Sequence, residues 1–214
     1  MENAIFLLVV LIFSAILHEY AHGLAAYSLG DSTAKNMGRL TFNPIPHIDP
    51  FYTIILPVMM FILPTPFIIG GAKPVPINPN NLRGERAQMK VALAGPLSNI
   101  GLALLFGIFI RFIPAIQENP TLLFAFGVVV FINLLLALFN LLPIPPLDGS
   151  HVLFTFFPSM SRKVQLFFAQ YGMIVFFLLF FLLFRFIFTF LFIVIGFFFE
   201  PLTGISLIEF IALL

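Results

Sequence analysis

Residues 4–29 read AIFLLVVLIFSAILHEYAHGLAAYSL, a run that is long and apolar enough to cross a bilayer as one helix. Inside this run lies His18-Glu19-Tyr20-Ala21-His22, the pattern H-E-x-x-H. On a helix the two histidines share one face, so both imidazoles can reach one metal ion, with Glu19 beside them. Ionisable groups at membrane depth are costly and therefore indicate function. The alternative is a pair of buried histidines held by structural hydrogen bonds.

The composition predicts an integral membrane protein. Of the 214 residues, 61% are hydrophobic and only 9% are charged, and the mean hydropathy is +1.12. We expect no separate soluble domain, because no hydrophilic stretch is long enough to fold alone. The chain has no cysteine, so a metal ion would be held by His, Asp or Glu. The net charge of +1 excludes no partner by itself, and we expect contact with the lipid bilayer and not with nucleic acid.

The apolar segments predict an all-α polytopic membrane protein with about five to six transmembrane helices. The predicted helices cover residues 4–29, 51–69, 91–113, 122–142 and 164–199. The second is the weakest, because Pro57, Pro64 and Pro66 interrupt its hydrogen-bond ladder. We expect one domain over 1–214, with a core at about 4–151 and C-terminal helices at about 152–214.

The segments between the predicted helices carry turn signals. Residues 38–48 and 70–83 are rich in glycine, proline and asparagine, which predicts extended loops or short β-hairpins. Their backbone could pair with an unwound peptide. For residues 200–214 the sequence is consistent with either a further half-span or an interfacial helix. Nothing in the sequence specifies an oligomeric state.

A catalytic zinc ion takes three protein ligands, so the two histidines require a third residue from elsewhere. The chain contains three aspartates, Asp31, Asp49 and Asp148. Asp148 lies in residues 140–149, NLLPIPPLDG, where prolines stiffen the exit from a helix and Gly149 allows a tight turn. This is a rigid support for one ligand, although an ordinary Asp-Gly turn explains the same residues.

Four motifs together resemble the site-2 protease family of intramembrane zinc metalloproteases. They are HEYAHG at 18–23, GGAKP at 70–74, AGPLSN at 94–99 and NLLPIPPLDG at 140–149. The resemblance covers roughly residues 11–151. The chain is similar to a short form of the family, without PDZ or CBS domains.

The resemblance implies a role for each matching residue. It implies one zinc ion per chain, with the ligands His18, His22 and Asp148. Glu19 would be the general base, and Asn140 would position the substrate or stabilise the oxyanion. Gly70 and Gly71 would lie near the path by which the substrate reaches the site.

The implied activity is that of an intramembrane zinc metalloendopeptidase that cleaves peptide bonds in or near transmembrane segments, as in regulated intramembrane proteolysis. The implied substrates are single-span proteins such as anti-sigma factors, or signal-peptide remnants, in the inner membrane of a prokaryotic cell. A transporter or ion pathway would also use buried polar residues. That alternative leaves the position of Glu19 directly after His18, together with the separate Asp-Gly motif, unexplained. A non-catalytic scaffold stabilised by a metal ion is a third alternative.

The ligand motifs also constrain the topology. His22 lies seven residues, about 10 Å, before the end of its helix, and Asp148 lies just after the helix that ends at residue 142. Both ligands therefore belong near the membrane face where their helices end, and an odd number of crossings must separate them. If residues 51–69 spanned, Asp148 would lie across a core about 30 Å thick, which six extended residues, about 20 Å, could not recover. We therefore predict that residues 51–69 form a re-entrant or interfacial segment.

The basic residues support the same topology. With re-entry, eight of the ten lysines and arginines share one face, Arg111 lies on the other, and Arg185 lies within the predicted helix 164–199, where it could snorkel. The eight are Lys35, Arg39, Lys73, Arg83, Arg86, Lys90, Arg162 and Lys163. The positive-inside rule then places the active site toward the cytoplasmic face.

Overall fold

The computed structural model of the protein describes residues 2–50, 72–157 and 162–213. All regular structure in these residues is helical, which confirms the predicted all-α class. The α-helices are α1 (Glu2–Ser28), α2 (Thr33–Asn36), α3 (Ala87–Phe112), α4 (Pro114–Gln117), α5 (Pro120–Asn140), α6 (Asp148–Phe156), α7 (Arg162–Thr203) and α8 (Leu207–Ile211). Two short 3₁₀ helices cover Ile45–His47 and Pro79–Asn81.

Four helices in the described part of the chain are long and apolar enough to cross a membrane. They cover Asn3–Ser28, Ala87–Phe112, Pro120–Asn140 and Gln170–Thr203. With this composition the chain is an integral membrane protein. The predicted re-entrant segment at 51–69 lies outside the described residues.

Helices α1, α3 and α5 begin two to four residues before the predicted starts, in polar turns that hydropathy does not detect, and they end one or two residues before the predicted ends. Helix α3 begins at Ala87, four residues before the predicted start. Helix α5 begins at Pro120 because the Asn119 side chain accepts hydrogen bonds from the backbone N–H groups of Thr121 and Leu122, at 3.0 and 3.2 Å. Asparagine before a proline in the first turn is a strong start signal for a helix.

Neither predicted loop segment forms a β-hairpin in its described residues. No strand occurs in the described residues of either predicted loop segment. Residues 38–48 fold into bends and the 3₁₀ helix Ile45–His47, and residues 72–78 have no regular secondary structure. Prolines at 74 and 76 supply no backbone N–H, so this stretch could not form a regular ladder.

The chain divides into two compact units. The N-terminal unit comprises residues 4–95, and the C-terminal unit comprises residues 1–3 and 96–214. In the N-terminal unit α1 and the loops that follow it bury Ala26, Ala34 and Val75. The prediction that residues 1–214 form one domain stays a prediction.

The C-terminal unit is built on α5, α7 and α8 together with the part of α3 after residue 95. Its most buried apolar side chains are fully enclosed, and they include Ile110, Val128, Ala137, Leu191 and Ile195. A polar pair joins α3 to α5, because the Asn99 side-chain amide donates to the Asn133 side-chain oxygen at 2.8 Å. Interhelical hydrogen bonds of this kind stabilise packing between apolar helices.

The last residues form a short helix and not a half-span. Helix α7 continues through Pro201 to Thr203, and α8 covers only five residues. Ser206 and Glu209 form a capping box at the start of α8. Phe210 on this helix packs against Phe199, with ring centroids 5.1 Å apart, and against Gly127, whose missing side chain makes room for its ring.

Helix α7 is unusually long for a membrane span. Its 42 residues correspond to about 63 Å of rise, and half of its phenylalanines are exposed, as lipid-facing residues are. Arg185 is exposed near its middle.

Candidate metal centre

In the H-E-x-x-H motif, the Nε2 atoms of His18 and His22 face each other. Their Nε2 atoms are 3.0 Å apart, and both side chains are buried. Two nitrogens bound to one tetrahedral zinc ion at 2.0–2.1 Å would be about 3.3 Å apart. The spacing of four residues on α1 therefore has the geometric result that the sequence predicted, a pair of imidazoles that can share one ion.

A backbone carbonyl sets the tautomer of His22. Its Nδ1 lies 2.7 Å from the carbonyl oxygen of Val91 on α3. Since a carbonyl oxygen only accepts, Nδ1 carries the proton, and the lone pair is on Nε2, the atom that faces His18. Metal-binding histidines are commonly fixed in this way by a hydrogen bond from the other ring nitrogen.

Gly95 leaves the space that an ion between the imidazoles requires. A Cβ atom at this position would lie 2.6 Å from both Nε2 and Cε1 of His18, and it would also collide with Nε2 of His22. Any side chain on residue 95 would thus occupy the space beside both candidate ligand atoms. The donor set and the open space fit a zinc ion.

Glu19 is held by the loop that precedes α3. Its Oε2 accepts a hydrogen bond of 2.7 Å from the backbone N–H of Val75. The Val75 side chain is buried beside Gly23, where an added Cβ would lie only 3.0 Å from Val75 Cγ1. The carboxylate directly after the first histidine therefore has a fixed backbone partner.

Asp148 is the first residue of α6, in the C-terminal unit, and is half-buried. Gly149 is needed beside it for close approach, because a Cβ there would lie 2.5 Å from the Leu142 carbonyl oxygen and would also collide with the Leu141 carbonyl. The chain between α5 and α6 includes a cis Pro145-Pro146 bond. The sequence predicted a tight turn at the Asp-Gly pair, and the structure differs: both residues lie in the first turn of α6, the turns lie before them at 141–147, and Gly149 serves close packing against the end of α5.

Asn140 is the last residue of α5, and its side-chain amide donates to the Leu136 carbonyl of the same helix at 2.9 Å. This bond uses one of its two N–H donors. Gly70 and Gly71, the predicted substrate-access residues, lie outside the described residues.

Both carboxylate oxygens of Asp31 accept hydrogen bonds from neighbouring loop residues. This buried side chain accepts from the backbone N–H of Asn78 at 2.7 Å, from the Asn81 side chain at 2.9 Å and from Thr33. Burial opposes its ionisation, but hydrogen bonds from Thr33, Asn81 and Asn78 outweigh burial and lower the pKa of Asp31 to about 2. Of the three aspartates, Asp31 is therefore the one committed to holding a loop.

Reasoning from the sequence gave no individual role to Gly95, Val91 or Val75. Gly95 was open to detection, because glycine inside a helix costs about 1 kcal/mol relative to alanine and indicates a close approach. Val91 and Val75 act through backbone atoms, which leave no signal in residue type.

A paired imidazole site with an adjacent carboxylate, carried on an apolar helix of spanning length, defines a membrane-embedded zinc metalloprotease. The comparisons with known proteins agree. Residues 113–184 match Peptidase family M50. A Bacillus subtilis protein named "Putative zinc metalloprotease YwhC" is 40% identical over 181 residues, which is 81% of this chain and 79% of that protein.

A Mycolicibacterium smegmatis protein named "Putative zinc metalloprotease Rip2" is 32% identical over 149 residues, covering 68% of this chain and 55% of that protein. A Methanocaldococcus jannaschii protein named "Putative zinc metalloprotease MJ0611" is 51% identical over 65 residues, covering 30% of this chain and 32% of that protein. No solved structure gives a significant match. The chain belongs to peptidase family M50, the site-2 proteases.

Proposed function

We propose that this intramembrane zinc metalloprotease binds one zinc ion through His18, His22 and Asp148 and uses Glu19 as its general base. The observation that carries the proposal is the Nε2 pair at 3.0 Å, with the His22 tautomer set by Val91 and the adjacent space left open by Gly95. Asp148 supplies the carboxylate that a catalytic zinc site of two histidines requires, and Asp31 is already engaged by its loop.

The proposed chemistry divides between the ion and the chain. Zinc bound there would polarise the scissile carbonyl and lower the pKa of a water molecule toward about 7. Glu19 accepts the proton of the attacking water and passes it to the leaving amine. Asn140 positions the substrate or stabilises the oxyanion through the N–H that does not bind Leu136.

The substrates are transmembrane segments of membrane proteins, cleaved within or near the bilayer as in regulated intramembrane proteolysis. A transmembrane helix hides its carbonyls in its own hydrogen bonds, so a substrate must unwind before cleavage. We propose Gly70 and Gly71 as part of the access path, with anti-sigma factors or signal-peptide remnants as candidate substrates.

Metal removal and ligand substitution test the zinc site. We expect a chelator to abolish cleavage of a single-span test substrate, and added zinc to restore it. Asp148→Asn should lose bound zinc and cleavage, as should His22→Ala, because each removes a ligand. The matched control is Asp49→Asn, which should retain both. Zinc content by mass spectrometry and cleavage by gel assay are the measurements, and a zinc-loaded, active Asp148→Asn variant would exclude Asp148 as a ligand.

We further propose that the site faces the cytoplasm and that residues 51–69 enter and leave the membrane through the same face. The chain has no cysteine, so single cysteines can be labelled without background. We expect Asn36→Cys and Glu85→Cys, which flank the segment, to react with an impermeant maleimide from the cytoplasmic side. Glu118→Cys, between α4 and α5, should react from the other side. Labelling of positions 36 and 85 from opposite sides would contradict re-entry without affecting the proposed chemistry.

A further inference from the structure

We propose that residues 72–78, here called the strap, position Glu19 for catalysis, and that Arg39 is the positioning residue that anchors the strap. The proposal deepens the function above and rests on the role of Glu19 as general base. It concerns contacts within the N-terminal unit alone.

The strap meets the motif helix at Val75. The Val75 N–H donates to Glu19 Oε2 at 2.7 Å, and the Val75 side chain is buried beside Gly23, the residue directly after His22. A backbone amide and a buried side chain on one residue therefore fix both the direction and the distance of the donor. Glu19 is thereby restricted in the rotation of its carboxylate.

The prolines on either side make this donor unique. Pro74 and Pro76 have no N–H, so Val75 supplies the only backbone donor over residues 74–76, and Glu19 takes it. No N–H remains in these three residues to pair with a substrate strand. This stretch therefore suits positioning of the carboxylate better than pairing with an unwound substrate.

Arg39 anchors the strap on one side of Val75. Its guanidinium is buried, and Nη2 donates to the carbonyl oxygens of Lys73 at 2.7 Å and Pro74 at 3.2 Å. Lys73 also donates its backbone N–H to the His47 carbonyl at 2.7 Å. The Nε atom of Arg39 has no hydrogen-bond partner among the described residues, and a buried donor without a partner is costly. Such a cost fits a side chain retained for positioning.

Asp31 anchors the strap on the other side. Its carboxylate accepts the Asn78 N–H at 2.7 Å and the Asn81 side chain at 2.9 Å. A buried cation thus binds the carbonyls at one end of the strap and a buried carboxylate binds an amide at the other. With both ends held, the position of the Val75 N–H does not depend on the Glu19 side chain itself.

The first experiment separates the Val75 N–H from the Val75 side chain. Val75→Pro removes the donor and retains a small apolar ring, whereas Val75→Ala retains the donor and removes most of the side chain. Because misplacement of a reacting group by about 1 Å can cost 10²-fold in rate, we expect Val75→Pro to lower kcat by about 10- to 100-fold. Zinc content and KM should stay at the wild-type values, and the loss for Val75→Ala should be at least tenfold smaller.

Equal losses for the two Val75 variants, or a change in KM in place of kcat, would overturn the positioning role. Glu19→Gln is the reference: if it cleaves as well as wild type, the proposed function itself fails, whatever the Val75 variants do.

A second measurement does not depend on activity. Since residues 74 and 76 have no amide, hydrogen exchange of a peptide covering 74–77 reports mainly on Val75 and Ile77. We expect Glu19→Ala to speed exchange of the Val75 amide by at least tenfold, because its acceptor is lost. Equal exchange rates in wild type and variant would overturn the contact.

Arg39 variants test the anchor even if Val75→Pro does not fold. Arg39→Met should lower kcat by about 10- to 100-fold, and Arg39→Lys should recover part of it, since an ammonium can still donate to a carbonyl. The matched control is Arg86→Met, because the Arg86 side chain is 55% exposed and forms a 3.9 Å surface pair with Glu85. Wild-type kcat in Arg39→Met would remove Arg39 from the proposal.

Discussion

Glu19→Gln is expected to keep zinc bound and to lower kcat by about 10²- to 10⁴-fold, the range that a general base contributes. Glutamine has nearly the same shape, and its side-chain oxygen can still accept the Val75 N–H that holds Glu19 at 2.7 Å. It cannot accept a proton at neutral pH. The substitution therefore removes proton transfer while leaving the loop and the imidazole pair in place.

The measurement is single-turnover cleavage of a test substrate together with zinc content. Glu85→Gln is the matched control, because that side chain is 90% exposed, and it should cleave at the wild-type rate. Loss of zinc in Glu19→Gln would indicate that Glu19 is a ligand or supports one. Cleavage at the wild-type rate would mean that another group accepts the proton.

Gly95→Ala is expected to reduce zinc affinity at least 100-fold. The new methyl group would lie 2.6 Å from the His18 Nε2 and Cε1 atoms, closer than Cβ atoms approach other heavy atoms. Relief requires a movement of the imidazoles, which changes the spacing of the Nε2 pair, or of α3, which breaks the hydrogen bond between His22 Nδ1 and the Val91 carbonyl. Perturbation of groups next to metal ligands already costs 10- to 100-fold in affinity, and here the proposed ligand atoms or the hydrogen bond that orients one of them would be displaced.

The same helix offers a control for this substitution. Gly101 also lies within α3, and an added Cβ there meets nothing within 4 Å. Gly101→Ala should bind zinc as wild type does and stabilise the helix by up to about 1 kcal/mol. Zinc affinity can be measured by competition with a chromogenic chelator. Equal affinity in the two variants would show that the imidazoles do not need the space at residue 95.

The sequence predicted those parts of the site that depend on local periodicity. The spacing of His18 and His22 follows from the pitch of one helix, so their shared face could be stated without a structure. The residues that contact these two histidines could not be predicted in the same way. Gly95 and Val91 lie about 70 positions further along the chain, and no local pattern reports which carbonyl or which missing side chain will meet an imidazole.

The three aspartates also show that tertiary contacts cannot be predicted from local sequence. Composition left three of them as candidates for the third ligand, and residue type alone does not separate them. The hydrogen bonds of Asp31 to Asn78 and Asn81 are what commit it to a loop. The loops were predicted as irregular from glycine and proline, whereas their tertiary contacts, such as those of Arg39 with the Lys73 and Pro74 carbonyls, could not be predicted.

The length of α7 has a consequence for how the protein sits in lipid. At about 63 Å the helix is twice as long as the hydrocarbon core is thick, and a usual tilt of about 20° shortens its projection very little. Arg185 is the only charged residue between Lys163 and Glu200, and it divides a stretch of 21 residues, which is long enough to span, from a shorter stretch of 14 residues. Hydrophobic matching therefore does not define one depth for this helix. The depth of α7 depends on where Arg185 can reach the lipid headgroups. We therefore expect that depth to change with the thickness of the bilayer.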